Sequence, residues 1–171
     1  MKRFKCGLAV MRAQPLHQGH QMIIQQMLDE CVTTVVVLGS AQEWDTPKNP
    51  FTVAQRVAMI RNVFGADMAA GRLRVMGLQD LGDMNRWADY VLTAVALGQD
   101  LTPDAYYCGG ESDGPRFAAA GLTLRNISRE TLPISGTYVR DNLRRGDGTA
   151  VQYIAAQNRD MVMRKLCGKS L

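Results

Sequence analysis

Hydrophobic and polar positions follow two periods along this chain, one typical of buried strands and the other of amphipathic helices. Short apolar runs predict strands at 4–11, 32–39, 72–78, 104–108 and 122–127. Apolar residues at helical spacing predict helices at 18–31, 52–64, 85–97, 113–120, 136–144 and 150–165. Strand and helix therefore alternate along nearly the whole chain, which predicts a parallel sheet with helical crossovers.

The most continuous apolar run, Val32–Gly39, is typical of a central strand whose two sides are both covered. A length of 171 residues fits one domain with one core. We therefore expect a single Rossmann-like α/β domain over 1–171, with a parallel sheet of about five strands and helices on both faces. Ligands of such sheets bind at the carboxyl ends of the strands, so the strand-to-helix turns are the first places to look for chemistry.

Charge and composition narrow the class of protein. The 20 Lys and Arg exceed the 16 Asp and Glu by only four and are spread along the chain, which favours small anionic ligands such as phosphates over nucleic acid. The four cysteines are far apart without a C-x-x-C pair, so we expect reduced thiols in a cytoplasmic protein and no zinc site. No apolar run approaches 18 residues and no cleavage site follows the basic start, so neither a membrane span nor secretion is expected.

The polar segment Arg12–His20 lies where the first strand turns into the first helix. Helix N-termini present unsatisfied N–H groups and the positive end of the helix dipole, so anions bind there. Gly19 allows a close approach of backbone to a ligand, and His17 and His20 can donate hydrogen bonds to phosphate oxygens. The alternative is that the two histidines only cap the helix or satisfy a hydrogen bond in the core.

A second strand-to-helix junction, 134–140, repeats this chemistry. Ser135 and Thr137 offer hydroxyls, Gly136 relaxes the backbone, and Arg140 lies one turn further, where its guanidinium can grip phosphate oxygens. The alternative here is an ordinary capped helix with a solvated arginine.

Taken together, the H-x-G-H turn and the I-S-x-T-x-x-R segment resemble the HIGH-type nucleotidyltransferase superfamily, and within it the archaeal-type nicotinamide-nucleotide adenylyltransferase family. The resemblance covers Leu8 to about Arg145. The segments that carry it are Arg12-Ala-Gln-Pro-Leu-His-Gln-Gly-His20, Gly39-Ser-Ala-Gln42, Asn49-Pro-Phe-Thr52 with Gln55-Arg56, Gln79-Asp80 with Trp87, and Ser135-Gly-Thr137 with Arg140.

The chain departs from the family pattern at a few positions. Lys48 stands where an Arg is expected, which keeps the charge but not the planar fork. Gln55 replaces a frequent Glu, Asn85 is displaced by one position, and Gly109-Gly110-Glu111 replaces a segment of the S-G-N kind. In the family, these positions belong more to the site of the phosphate acceptor than to the site of the nucleoside triphosphate.

The resemblance implies transfer of the adenylyl group of ATP to nicotinamide mononucleotide, giving NAD and pyrophosphate in NAD biosynthesis or salvage. It also implies Mg²⁺ bound through the ATP phosphates with no metal site of the protein's own, a homo-oligomer, and no nucleic-acid or membrane partner. Two alternatives remain open: another HIGH-type nucleotidyltransferase with a different phosphate acceptor, and a non-catalytic sensor of NAD or ATP.

The resemblance further implies roles for individual residues. The catalytic group is His17, His20 and Arg140. The residues expected to bind ATP are Arg12, Gln14, Pro15, Gly19, Gly109, Ser135, Gly136 and Thr137. Those expected to bind the mononucleotide are Ser40, Lys48, Phe51, Asp80, Asn85 and Trp87. The ring of Trp87 would stack on nicotinamide, although simple core packing beside Val91 is the alternative for this residue. Asp80 could merely begin a loop, and Lys48 could be only solvated.

Overall fold

A parallel sheet forms the centre of the protein. The computed structural model describes residues 1–110, 113–128 and 134–168. Five strands are found there: β1 (Phe4–Met11), β2 (Cys31–Leu38), β3 (Leu73–Gly77), β4 (Ala105–Cys108) and β5 (Thr123–Asn126). Their order is β3-β2-β1-β4-β5, and neighbouring strands are all parallel. The strand order reverses between β1 and β4, so the crevice at their carboxyl ends is where a sheet of this kind binds ligands.

Helices cover both faces of the sheet. In the described ranges they are α1 (Gln18–Glu30), α2 (Val53–Ala69), α3 (Trp87–Gln99), α4 (Gly114–Ala119), α5 (Gly136–Arg144) and α6 (Arg159–Cys167). One apolar cluster joins one face of the sheet to α1, α2, α5 and α6, and a second joins the opposite face to α3 and α4. The predicted Rossmann-like α/β architecture, with about five parallel strands between two helical layers, is confirmed.

Local signals place most helix ends. Thr52 accepts a hydrogen bond from the Gln55 N–H at 3.2 Å, and the Gln55 side chain accepts one from the Thr52 N–H at 3.0 Å, which completes the predicted capping box of α2. Ser135 caps α5 by accepting from the Tyr138 N–H at 3.1 Å. The predicted end of α2 at Phe64 corresponds to a kink there, φ −117° and ψ 28°, after which the helix continues to Ala69.

The predicted helix over 150–165 is confirmed only from Arg159 onward, as α6, and is wrong before that residue. Two short 3₁₀ turns, Gly148–Tyr153 and Ala156–Asn158, precede α6. The reason is tertiary: Asn158 is fully buried, and its amide donates to the Met59 carbonyl at 3.0 Å while its oxygen accepts from Asn62 at 2.9 Å. Ile154 is extended between the turns, and its carbonyl accepts from Arg159 at 3.1 Å. The contacts of Asn158 with α2 outweigh the local helical pattern.

The cysteines stay apart in the fold. All four lie in the described ranges and none forms a disulfide. Burial raises the pKa of the Cys6 thiol to about 11, so this thiol stays protonated at neutral pH. None of the helices in the described ranges combines the length and the apolar character needed to cross a membrane.

Candidate active site

The turn between β1 and α1 places two histidine rings side by side. His17 immediately precedes α1, and its N–H donates to Nδ1 of His20 at 3.4 Å. The two ring centroids are 3.8 Å apart, and both side chains are more than nine-tenths buried. With Nδ1 of His20 as the acceptor, the N–H donor of this ring is Nε2.

His20 lines a cavity of about 270 Å³ between the carboxyl ends of β1 and β4. Gly109 and Gly110, just after β4, line the same cavity. Glu111, which follows them, lies outside the described residues. The first cavity therefore occupies the crevice at which the strand order reverses, as expected for a doubly wound sheet.

The amino end of α5 packs directly against the β1–α1 turn. Nη1 of Arg140 donates to the Gln14 carbonyl at 2.7 Å, and Nη2 donates to the Thr137 hydroxyl at 3.1 Å. A Cβ at Gly136 would lie 3.1 Å from Nη1 of Arg140 and 3.2 Å from the Gln14 oxygen. The two polar segments found in the sequence, more than a hundred residues apart, are thus one cluster.

Arg140 is a buried cation with spare donor capacity. Burial, followed by repulsion from Arg144, lowers the pKa of its guanidinium below the ordinary value. Among the described residues, its Nε has no hydrogen-bond partner. A bound anion would offset the cost of keeping this charge away from water.

A second cavity, of about 500 Å³, adjoins the first at the end of β1. It is lined by Val10, Met11, Arg12, Gly39, Asp80, Leu81, Met84, Trp87 and Asp113. Four of these residues, Val10, Met11, Arg12 and Asp113, also line the first cavity. Two ligands bound in the two cavities would therefore meet beside the side chain of Arg12.

Asp80 is held as a carboxylate at the wall of the second cavity. It accepts from the Ser40 N–H at 2.9 Å, from the Ser40 hydroxyl at 2.7 Å and from the Gln42 amide at 3.4 Å. Burial alone would raise the pKa of Asp80, but the hydrogen bonds from Ser40 and Gln42, aided by the charge of Arg12, hold it below its ordinary value. The second cavity therefore has one negatively charged wall at neutral pH.

Trp87 contributes both to the core and to the second cavity. It is the first residue of α3, is 6% exposed and packs beside Tyr90 with ring centroids 5.9 Å apart. Val91 and Val95 continue the same buried face of the helix. Because one part of the indole also lines the cavity, core packing and ligand contact are compatible for this residue.

Other predicted site residues lie in the core next to the cavities and are not among the described residues that line them. The Gln14 amide donates to the Phe51 carbonyl at 2.9 Å, and its oxygen accepts from the Phe51 N–H at 2.8 Å. The Phe51 side chain is fully buried in the core, and Pro15 is buried in the turn. Among the described residues that line the two cavities, neither Gln14 nor Phe51 is present. The structure thus places both where they anchor the loop at 40–52 to the β1–α1 turn.

Two predicted mononucleotide residues lie apart from this cluster. Lys48 and Asn85 are exposed, and neither belongs to the described lining of the two cavities. The Asn85 N–H donates to the Asp83 carboxylate at 2.9 Å within its own loop. Trp44, on the same loop as Lys48, is 54% exposed. Roles for Lys48 and Asn85 in binding stay predictions.

The sequence interpretation assigned no role to Arg56 or to Asp113. Arg56 is fully buried under the cavities, and the signal for this was available, because Met59 and Ile60 follow it at helical spacing on the core side of α2. Asp113, just before α4, lines both cavities.

In the described ranges, no group of three or more His, Cys, Asp or Glu side chains is placed to hold a metal ion. Among the described lining residues of the first cavity, Arg12 and His20 can bind an anionic ligand, and Arg140 lies in the adjoining polar cluster.

Comparisons with known proteins agree with this geometry. A family model described as cytidylyltransferase-like matches residues 9–142. The nicotinamide-nucleotide adenylyltransferase of Saccharolobus solfataricus is 39% identical over 88 residues, which are 51% of this chain and 51% of that protein. The enzyme of the same name from Methanospirillum hungatei is 31% identical over 138 residues, 79% of this chain and 74% of that protein. The alignment thus spans about half of the first relative and about three quarters of the second.

Solved structures share the fold at low sequence identity. The bifunctional NMN adenylyltransferase/ADP ribose pyrophosphatase of Francisella tularensis superposes with a TM-score of 0.78 at 18% identity, over 94% of this chain and 49% of that chain. A putative nicotinate-nucleotide adenylyltransferase of Vibrio parahaemolyticus superposes at 0.61 with 14% identity, over 95% of this chain and 99% of that chain. With the family match over most of its length, the chain belongs to the nicotinamide-nucleotide adenylyltransferase family of cytidylyltransferase-like proteins.

Proposed function

We propose that the protein transfers the adenylyl group of ATP to nicotinamide mononucleotide, giving NAD and pyrophosphate. The observation that carries this proposal is the pair of adjoining cavities that share Arg12 at the end of β1. A reaction between two anionic substrates needs two such sites meeting at a cation. The names of the relatives from Saccharolobus solfataricus and Methanospirillum hungatei support the same reaction.

The first cavity would hold the triphosphate of ATP. His20 and Arg12 line this cavity and would donate to the phosphates, while Arg140 and the amino end of α5, which pack against the β1–α1 turn, would supply further charge and donors. The phosphate of the mononucleotide is already an anion, so no covalent enzyme intermediate is needed. Catalysis then consists of aligning the attacking oxygen with the α-phosphorus and stabilising the charge on the transferring and leaving oxygens. Mg²⁺ would arrive bound to the ATP phosphates as part of the substrate.

The second cavity would hold the nicotinamide ring. Trp87 offers an aromatic face, and Leu81 and Met84 offer apolar contacts. The Asp80 carboxylate can accept a hydrogen bond from the N–H₂ of a carboxamide, whereas it would repel the carboxylate of nicotinate. This chemistry favours nicotinamide mononucleotide over nicotinate mononucleotide. The phosphate of the mononucleotide would lie toward Arg12, with Lys48 reaching it from the loop.

The direct test is NAD formation by the purified protein from ATP, Mg²⁺ and nicotinamide mononucleotide. Replacing His20→Ala removes a donor to the triphosphate and is expected to lower kcat/KM by about 10²–10³-fold, as for the loss of one oxyanion donor. The matched control is Gln25→Ala, an exposed position on α1, which should stay within about twofold of the unmodified protein. Equal NAD formation by the unmodified protein and by His20→Ala would contradict the proposal.

A panel of acceptors separates the remaining alternatives. We expect nicotinamide mononucleotide to exceed nicotinate mononucleotide, phosphopantetheine, FMN and glycerol phosphate in the rate of pyrophosphate release. A faster reaction with another acceptor would assign the chain a different nucleotidyl transfer. Tight NAD binding without turnover of any acceptor would identify a sensor instead.

A further inference from the structure

Arg56 is a fully buried arginine beneath the two cavities. It lies in the first turns of α2, with 0% of its surface exposed. Burial lowers the pKa of its guanidinium, and the nearby charge of Asp80 opposes that shift. Among the described residues it forms no ion pair, and its Nε has no hydrogen-bond partner. Burying a charge without an ion pair costs free energy, so packing alone does not explain an arginine at this position.

The guanidinium bonds to backbone carbonyls that belong to two different strand ends. Nη1 donates to the Arg12 carbonyl at 3.0 Å and to the Gly39 carbonyl at 2.8 Å. Nη2 donates to the Ser40 carbonyl at 3.4 Å. Arg12 follows β1, while Gly39 and Ser40 follow β2. One side chain therefore ties together the two turns that leave adjacent strands.

These carbonyls belong to residues with different positions in the site. Arg12 lines both cavities. Ser40, by contrast, holds the Asp80 carboxylate at the wall of the second cavity through its N–H and its hydroxyl. Arg56 therefore connects Arg12, which lines both cavities, to the segment that holds Asp80 at the wall of the second cavity.

We propose that Arg56 is a positioning residue that sets the separation between the triphosphate subsite and the mononucleotide subsite. This inference rests on the proposed adenylyl transfer. Arg56 contacts neither substrate and acts through Arg12 and Ser40. In-line transfer depends on the placement of the attacking oxygen to within about 1 Å, so loosening this connection lowers turnover while the separate binding sites persist.

The experiment compares Arg56→Gln and Arg56→Lys with Arg61→Gln. Arg61 lies on the same helix, is exposed and serves as the matched control. Neither replacement at position 56 can reach all three carbonyls, because only guanidinium presents a planar fork of donors. At a temperature where each variant is folded by circular dichroism, kcat is expected to fall about 100-fold in both Arg56 variants. We expect KM for ATP to stay within about threefold, because the triphosphate groups remain in place.

A second measurement does not depend on activity. The Ser40 amide donates to Asp80, and its hydrogen exchange is expected to become about tenfold faster in the Arg56 variants and to be unchanged in Arg61→Gln. If a folded Arg56 variant keeps the kcat of the unmodified protein, or if Ser40 exchange is unchanged, the proposal is overturned.

If the unmodified protein makes no NAD, the proposed function fails by itself. In that case the exchange rate of Ser40 alone decides whether Arg56 connects the two strand ends. Should Arg56→Gln not fold, Arg56→Lys retains the buried charge and provides the same readouts.

Discussion

At the scale of single residues, a glycine in each of the two polar segments lies against a side chain with little space for a methyl group. A Cβ at Gly19 would lie 3.1 Å from Cε1 of His17, and one at Gly136 would lie equally close to Nη1 of Arg140. Both glycines sit in extended or helical backbone, so space and not backbone freedom explains them. Because these glycines lack a side chain, the His17 ring can pack against position 19 and the Arg140 guanidinium against position 136.

Replacing Gly136→Ala tests this close packing. The added methyl group must shift Arg140 or the Gln14 carbonyl by a few tenths of an ångström, which weakens the hydrogen bond between them. We expect kcat/KM for NAD formation to fall about 10- to 100-fold, the range that corresponds to a loss of about 1.5–3 kcal/mol.

Gly65→Ala is the matched control for Gly136→Ala. The nearest atom to a Cβ at position 65 is 4.0 Å away, on the side chain of Arg61, so the methyl group fits. Within helix α2 this change should leave the kinetics unaltered and raise stability by about 0.5–1 kcal/mol in thermal unfolding. Wild-type kinetics for Gly136→Ala would show that Arg140 does not need its observed position.

At the scale of elements, the loop between β2 and α2 is fastened at its base and at its tip. The base is held by the paired Gln14 and Phe51 amides. At the tip, Arg144 of α5 donates to the Pro47 carbonyl at 2.8 Å, and Lys165 of α6 forms an ion pair with Asp45. The base contacts are buried and the tip contacts exposed, so the tip is the part that can move at little cost.

Arg144→Ala is expected to loosen the tip of this loop without unfolding the protein. Loss of one exposed contact should change global stability by less than about 1 kcal/mol, while trypsin cleavage after the exposed Lys48 becomes faster. Arg145→Ala is the control, because Arg145 is exposed and its side chain donates only to the Asp141 carbonyl of the adjacent helix α5 among the described hydrogen bonds. Equal cleavage of both variants would show that Arg144 does not restrain the loop.

At the scale of the whole molecule, Glu30 links the end of α1 to two strands. Arg125 of β5 donates to both Glu30 oxygens, at 2.6 and 3.0 Å, and the Tyr107 hydroxyl of β4 donates at 2.7 Å. The hydrogen bonds from Arg125 lower the pKa of Glu30 from 4.5 to about 2, with those from Tyr107 and Gln26 adding to the effect against the opposing contribution of burial. A carboxylate thus joins α1 to the β4–β5 edge.

Stability should depend on pH through this carboxylate. Because the pKa of Glu30 is lower in the folded state, its contribution is complete above pH 4.5 and is lost as the pH falls toward 2. Glu30→Gln is expected to lower the free energy of unfolding at pH 7 by about 1–3 kcal/mol, and this deficit should shrink over the same acidic range. Urea denaturation at several pH values measures it.

Asp67→Asn provides a control for the acid dependence. Its partner Arg72 lies 3.0 Å away in a pair with side chains 42% and 27% exposed, so the change should cost less than about 1 kcal/mol. A deficit in Glu30→Gln that stays constant from pH 7 to the acidic limit would contradict the assignment of the pH dependence to Glu30.

Local sequence determined most of the elements and the two polar turns at helix N-termini. Apolar periodicity placed the strands and most helices, and the capping residues Thr52 and Ser135 act within three positions of themselves. The His17–His20 turn and the segment that ends at Arg140 could be recognised for the same reason, since helix N-termini and donor side chains are local features.

Only the tertiary structure decided which side chains contact residues that are distant in the chain. The contact of Arg140 with Gln14, the hold of Ser40 on Asp80 and the connection made by Arg56 each join residues far apart in the chain. The helix expected at 150–165 likewise begins only at Arg159, because Asn158 bonds to Met59 on another element. Sequence periodicity reports which face of an element is apolar, but the energy of a buried polar group depends on the partner that folding brings to it.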